Sequence, residues 1–243
     1  MVGIRRAIAL LLLGFYVTQF AMTAWLGPDE FFPAYLGLTL CYTLAFIALA
    51  AEWFWARWFA IGVGNFGSLM LLVLLQVGME PILAFFGFSH LAIAVLLAGE
   101  GMAARYEYSE QTSERWNFQE ESLVLLRRAV KSAGSTIPIL ILYALMPRPE
   151  AWSVLALGAG VVGLLGLLRG RTWGVLALGA AGLMALGDFA FGAQSAGCFA
   201  VPHTSWLVCG TSFPLVSGIL LLAPAALLAK PMLQFVRNRR TAE

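Results

Sequence analysis

The stretch Arg5–Glu30, RRAIALLLLGFYVTQFAMTAWLGPDE, decides how the rest of the chain is read. Two arginines open it, an unbroken apolar run follows from Ala7 to Leu26, and Gly27-Pro28-Asp29-Glu30 closes it. About 20 apolar residues cross the hydrocarbon layer of a bilayer as a helix. The run is of that length, with bases before it and acids after it. A secretory leader with a small-residue cleavage site at Ala21-Met22-Thr23-Ala24 is the competing reading, but the run is long for one.

The same pattern recurs outward from this stretch. Cutting at charges and at Pro/Gly turns gives seven more candidate spans: Ala34–Ala51, Phe59–Gly78, Ile82–Ala98, Thr136–Met146 extended back to Ser132, Ala151–Leu168, Thr172–Gly192 and Trp206–Ala229. Whole-chain composition agrees. Hydrophobic residues make up 60% of the 243 and charged ones 12%, against roughly 25% charged in ordinary globular proteins. The mean hydropathy is +0.84. A soluble fold of this size cannot hide so much apolar surface, so the sequence predicts an all-α polytopic membrane protein of about eight transmembrane helices.

Charge placement supplies an independent check on the threading. With the amino terminus inside and eight crossings, 14 of the 15 Lys and Arg residues fall on the inner side, and only Arg148 falls outside. Asp29, Glu30, Glu80 and Glu150 occupy the outer turns. Basic residues resist translocation, which places both termini in the cytoplasm and the protein in the plasma (inner) membrane.

One long polar stretch interrupts the series. It divides the chain into a first four-helix half at 1–99, a cytoplasmic amphipathic linker at 100–131, and a second four-helix half with a basic tail at 132–243. Within the linker, Asn117 and Glu120 have the spacing of a helix-capping box. Leu123, Leu126 and Val130 recur at helical intervals, with Arg127, Arg128 and Lys131 at the end. This reads as a surface helix, with Arg115, Arg127, Arg128 and Lys131 as candidate contacts to a partner or to anionic lipid. A faint echo, Trp58/Gly64/Gly67 against Trp173/Gly179/Gly182, hints at a duplicated half.

Candidate functional groups are few. Ionisable residues at membrane depth are costly and mark sites by default. His90, midway along the fourth span, and Asp188, in the seventh, are the deep ones. His90 either satisfies both ring nitrogens with Ser89, Tyr42 or a backbone carbonyl, or takes up and releases a proton near neutrality. Asn65, Ser68 and Gln76 share a stripe on the third span; with His90 and Asp188, Asn65 and Gln76 are the transport or gating candidates. Pairs such as Thr39/Thr43 and Gln19/Thr23 read as interhelical hydrogen bonding. Trp25, Trp53, Trp55, Trp58, Trp152, Trp173 and Trp206 read as an interfacial aromatic belt.

Cys198 and Cys209 flank an outer loop where an oxidising compartment permits a disulfide, whereas Cys41 lies inside a span. Nucleotide-binding loops, HExxH and GxSxG are absent from the sequence. No catalytic residue, metal or cofactor is expected, and nothing points to nucleic acid. The leading functional expectation is a structural, assembly or signalling subunit whose partners are the bilayer and other proteins or a second copy. The alternatives are a transporter or channel for a small solute, ion or proton, and a lipid-handling enzyme using Glu52, Glu100, His90 or Asp188.

Overall fold

The computed structural model describes residues 2–107, 120–145, 151–169, 171, 173–191, 198–200, 207–209 and 214–227, with the backbone alone at 75–77, 120–122, 198–200 and 207–209. In chain order the helices are α1 (Val2–Leu26), a 3-10 turn (Asp29–Phe31), α2 (Phe32–Ala50), α3 (Ala56–Ser68), α4 (Met70–Val77), α5 (Pro81–Leu97), α6 (Glu100–Glu107), α7 (Glu120–Leu145), α8 (Ala151–Leu168), α9 (Trp173–Phe191) and α10 (Pro214–Leu227). Between α9 and α10, β1 (Cys198–Ala200) and β2 (Leu207–Cys209) pair antiparallel, with Cys198 directly opposite Cys209. The protein is thus a helical, multi-pass membrane protein. Among the described residues, five helical stretches are long and apolar enough to cross a bilayer, and the bent pair α5–α6 would make a sixth.

Local sequence explains the boundaries. Pro81 opens α5, where its missing N–H is no loss, and the Glu80 carboxylate accepts from the Leu83 N–H at 2.7 Å. At the other end Gly99 takes φ +96° and lets the chain swing through 70° into α6. The end of α2 is less orthodox. The Trp53 N–H reaches back to the Ala48 carbonyl at 3.1 Å, a Schellman closure, which leaves Glu52 rather than glycine at φ +56°.

Two expectations need refinement. The third apolar run is broken at Leu69 into α3 and α4 rather than continuous. The second part of the expected linker is not a separate surface helix: α7 runs from Glu120 through Lys131 and past Pro138 to Leu145 as a single helix. No proline stands between Val130 and Ile137, and the single glycine there, Gly134, is held by its packing on α3, so hydrogen bonding propagates from the amphipathic segment into the apolar one. The proposed cap at Asn117 lies outside the described residues.

The helices pack where side chains are small. At the α3–α7 crossing, a Cβ on Gly62 would lie 2.5 Å from the Lys131 carbonyl oxygen, and one on Gly134 would lie 2.6 Å from that of Phe59. Helices in lipid gain little from apolar burial against each other, so close backbone approach supplies the packing. α7 also lies against α2 and α8, which connects the amino-terminal helices to the carboxy-terminal ones. The glycines of the echo serve one purpose in both places: Gly64 and Gly67 receive α5, while Gly179 and Gly182 receive α10.

Gly62→Ala should lower stability by about 1–3 kcal/mol through overpacking, read as an earlier thermal unfolding midpoint in detergent. Gly158→Ala, with nothing within 4 Å of the added carbon, should leave the midpoint unchanged or raise it.

Candidate functional site

At the middle of the amino-terminal bundle, His90 of α5 is fully buried. Its Nδ1 lies 2.7 Å from the Phe86 carbonyl, which can only accept, so Nδ1 carries the proton. Nε2 is then the acceptor for the Tyr42 hydroxyl of α2 at 2.6 Å. Tyr16 and Phe86 lie against the imidazole with ring centroids 4.1 and 4.2 Å away. A Cβ at Gly67 would overlap the ring at 2.0 Å, so the histidine fills a notch that only glycine leaves in α3. Next to it, Tyr16 and Ser89 share a hydrogen bond of 2.5 Å, and the Ser89 hydroxyl lies 2.6 Å from the Phe85 carbonyl. This is the satisfied-histidine arrangement, with Tyr42 and a backbone carbonyl as its partners. Tyr16, which the sequence reading did not single out, completes the cluster.

The remaining transport candidates do not gather here. Asn65 points to the outside of α3, and the side chain of Gln76 lies outside the described residues. Asp188 of α9 is only 5% exposed and accepts a hydrogen bond from Ser153 of α8 at 3.0 Å. Tyr143, Pro214 and Ser217 line the same spot, which leaves no room for a water molecule. The threonines largely bond to their own helices: Thr18 to Gly14, Thr23 to Gln19 and Thr39 to Tyr35. Each donates four residues back, the usual resort of a hydroxyl in a helix interior.

The densest polar assembly sits at one end of the helices, where α1 begins, α2 ends, α3 begins and α5 ends. Arg5 Nη2 donates to the Ala98 and Val95 carbonyls at 2.6 and 3.1 Å. Arg6 Nη2 donates to the Ala50 carbonyl at 2.7 Å, while its Nη1 pairs with Glu52 at 2.6 Å. Two consecutive arginines thereby cap the last carbonyls of two different helices, where the helix dipole favours a cation. Arg105 of α6 binds the same Glu52 oxygen at 2.5 Å. That hydrogen bond, assisted by the charges of Arg6 and Arg105, holds the Glu52 carboxyl below the usual carboxylate range. Tyr106 adds a hydrogen bond to the Leu49 carbonyl at 3.0 Å. Glu52 is therefore held by cations, and Glu100 is exposed at the start of α6; neither forms part of a paired-carboxylate site.

Deeper at this end lies an ion pair that sequence reading missed. Arg57 is 5% exposed and Glu107 is also 5% exposed. Arg57 Nε donates to Glu107 Oε1 at 2.8 Å, Nη2 makes a second, closer contact to the same oxygen, and Nη1 donates to the Leu97 carbonyl at 3.0 Å. Trp58 donates its indole N–H to that oxygen at 2.6 Å. Trp55 and Trp58 are thus core residues rather than members of an aromatic belt, unlike the exposed Trp25, Trp53, Trp152 and Trp173. Arg127 of α7 approaches Glu107 Oε2 at 3.4 Å. Arg128 is exposed, Lys131 is half-buried, and Arg115 lies outside the described residues.

Comparison with known proteins adds no further constraint: no protein-family profile, no curated protein and no solved structure matches the chain.

Removing one member of a buried pair leaves the other charged and dry, at a cost of about 3–5 kcal/mol. Glu107→Gln should therefore unfold markedly earlier in detergent than wild type, while the double replacement Arg57→Met/Glu107→Leu should recover much of the loss. The Glu52 pairs predict a pH effect. Because the folded carboxyl is held low, its contribution is complete above the unfolded value of about 4.3 and disappears as pH falls through the folded one. Glu52→Gln should unfold earlier than wild type at pH 7, and the gap should close on acidification below about pH 4.

Proposed function

We propose that the protein is a multi-pass membrane component that acts by contact, as a structural, assembly or signalling subunit. In this reading it crosses the plasma (inner) membrane eight times, in two groups of four helices, with both termini cytoplasmic. The basic end of the helices is then the cytoplasmic platform. One observation carries the reading: the ion pairs of Arg6, Glu52, Arg57, Arg105, Glu107 and Arg127 join the amino terminus, the α2–α3 turn, α6 and α7 into a single surface. In sequence, the polar stretch 108–119 joins α6 to α7, two of the elements that these ion pairs link.

The polar interior supports the same reading. A proton relay needs a group at each end that can exchange its proton. The Tyr42–His90 chain ends instead on the Phe86 carbonyl, which cannot release one. A second reading, transport of a proton or small cation, draws on Asp188, because a buried carboxylate at membrane depth is an expensive feature to retain. On the outer face, the backbone register of Cys198 opposite Cys209 puts the two α-carbons within the span that a disulfide bridges. We propose that pair as a disulfide in the outer compartment.

Two measurements test contact against transport. Purified protein in proteoliposomes loaded with a pH-sensitive dye should pass protons no faster than protein-free vesicles, and Asp188→Asn and His90→Gln should change nothing. Native electrophoresis of membranes solubilised in mild detergent should show the protein in an assembly larger than its own 26.3 kDa. Proton flux that Asp188→Asn abolishes would replace the contact reading with the transport one.

A further inference from the structure

Once Arg57 and Glu107 have neutralised each other, the inner end of α7 still holds two cations beside them. Arg127 and Lys131 are four residues apart and therefore share a face of α7. Arg127 keeps only the long 3.4 Å contact to Glu107 Oε2, and its Nε is buried with no hydrogen-bond partner among the described residues. Lys131 is half-buried, with Arg57 and Arg127 close enough to repel it and Glu107 as its attracting neighbour. Burial first, and those two arginines second, push its pKa down. Among the described residues, three cations thus crowd one carboxylate, although like charges held close together repel.

The surroundings narrow down what would balance the cluster. The backbone at Lys131 cannot withdraw, because its carbonyl is pressed against Gly62 at the α3–α7 crossing and accepts the Ser135 hydroxyl at 3.0 Å. Leu126, Ala129 and Val130 are buried next to the two cations, and the apolar run of α7 begins immediately after them. The cluster therefore lies where polar sequence gives way to apolar sequence, which in the proposed threading is the level of lipid headgroups. A phosphate oxyanion suits both donors: a guanidinium presents its N–H groups as a planar fork, and an ammonium acts as a compact point charge. Basic pockets between helices on the cytoplasmic side are a recurrent way of holding anionic headgroups.

We infer that Arg127 and Lys131, backed by the Arg57–Glu107 pair at the α3–α7 crossing, bind the phosphate of an anionic phospholipid in the inner leaflet. The inference rests on the cytoplasmic placement proposed above. Bound lipid would supply the missing negative charge and would tie α7 to the membrane surface at the point where it leaves the platform.

The test uses the full chain in a neutral detergent. Short-chain phosphatidylglycerol, short-chain phosphatidylcholine and inorganic phosphate are titrated separately against the thermal unfolding midpoint. Phosphatidylglycerol should raise the midpoint saturably, with an effect that weakens at high salt, and Arg127→Gln/Lys131→Gln should weaken its apparent affinity at least tenfold. Arg171→Gln, at an exposed position before α9, should bind like wild type. Native mass spectrometry of the wild-type protein provides a readout that needs no variant: phosphatidylglycerol adducts should survive competition by phosphatidylcholine. Equal stabilisation by phosphatidylcholine, or undiminished phosphatidylglycerol binding by the double variant, would overturn the site. Equal stabilisation by inorganic phosphate at the same concentration would overturn the lipid as its occupant. A membrane-impermeant thiol reagent on Arg128→Cys reports sidedness separately. Labelling from outside, with lipid binding intact, would refute the cytoplasmic placement and leave the phosphate-binding cluster standing.

Discussion

Inside a bilayer no water is available to satisfy a polar group, so each donor and acceptor must find its partner within the chain. That constraint shapes nearly every polar detail of this protein. The threonines of α1 and α2 turn back on their own carbonyls. His90 is held in one tautomer between a tyrosine and a carbonyl, and its ring is accommodated by the absence of a side chain at Gly67. At the helix ends the same demand falls on carbonyls, and Arg5 and Arg6 meet it for α5 and α2. An arginine has reach and several donors, so one residue can close a helix that lies far from it in sequence.

The Arg57–Glu107 pair follows from the same demand but has a different consequence. Replacing a buried ion pair with matched apolar groups is often neutral, so the pair is not explained by stability alone. It does fix geometry. Glu107 closes α6 after the 70° turn at Gly99, and a carboxylate shared by Arg57, Trp58 and Arg127 can be reached from only one orientation of α6 on α3 and α7. Glu52 makes the same point. A non-glycine residue at φ +56° is strained, yet its carboxylate joins Arg6 from α1 to Arg105 from α6. Strain at the end of α2 is accepted where the side chain links three elements.

Much of this architecture was legible in the sequence because apolar runs must match the thickness of a membrane. Ala151–Leu168 was read to the residue, and α2, α5 and α9 to within two. Periodicity could not place the break at Leu69: Gly67-Ser68 stands just before it, but Gly62 and Gly64 recur in the same run without ending the helix. Nor could it show that α7 is continuous, since a change from amphipathic to apolar composition resembles a boundary even where hydrogen bonding runs on. His90 was legible because a neutral imidazole in lipid needs two partners and Tyr42 lay at the corresponding depth. Arg57 and Glu107 were not: Glu107 sits in the polar stretch and Arg57 in a turn between two apolar runs, where an exposed charge is the ordinary expectation. Only the turn at Gly99, which folds α6 back over the start of α3, brings them together. Three tryptophans within six residues around Arg57 were the available hint, because an indole N–H that is buried needs an acceptor.

The distribution of satisfied and unsatisfied charge separates the interior of the protein from its basic end. In the middle of the amino-terminal bundle the hydrogen bonds of His90 close on one another, and the glycine contacts leave no slack for the ring to move. At the basic end the charges do not balance: among the described residues, Arg127 and Lys131 outnumber the carboxylate beside them, and Arg128 stands exposed. An excess of cations held rigidly at a membrane surface attracts anions whether or not the protein uses it. What turns attraction into a site is that α7 cannot retreat from α3, because the backbones already touch at Gly62 and Gly134. The fold therefore places a close backbone crossing next to cations that outnumber their carboxylate among the described residues, and a binding surface needs both at once.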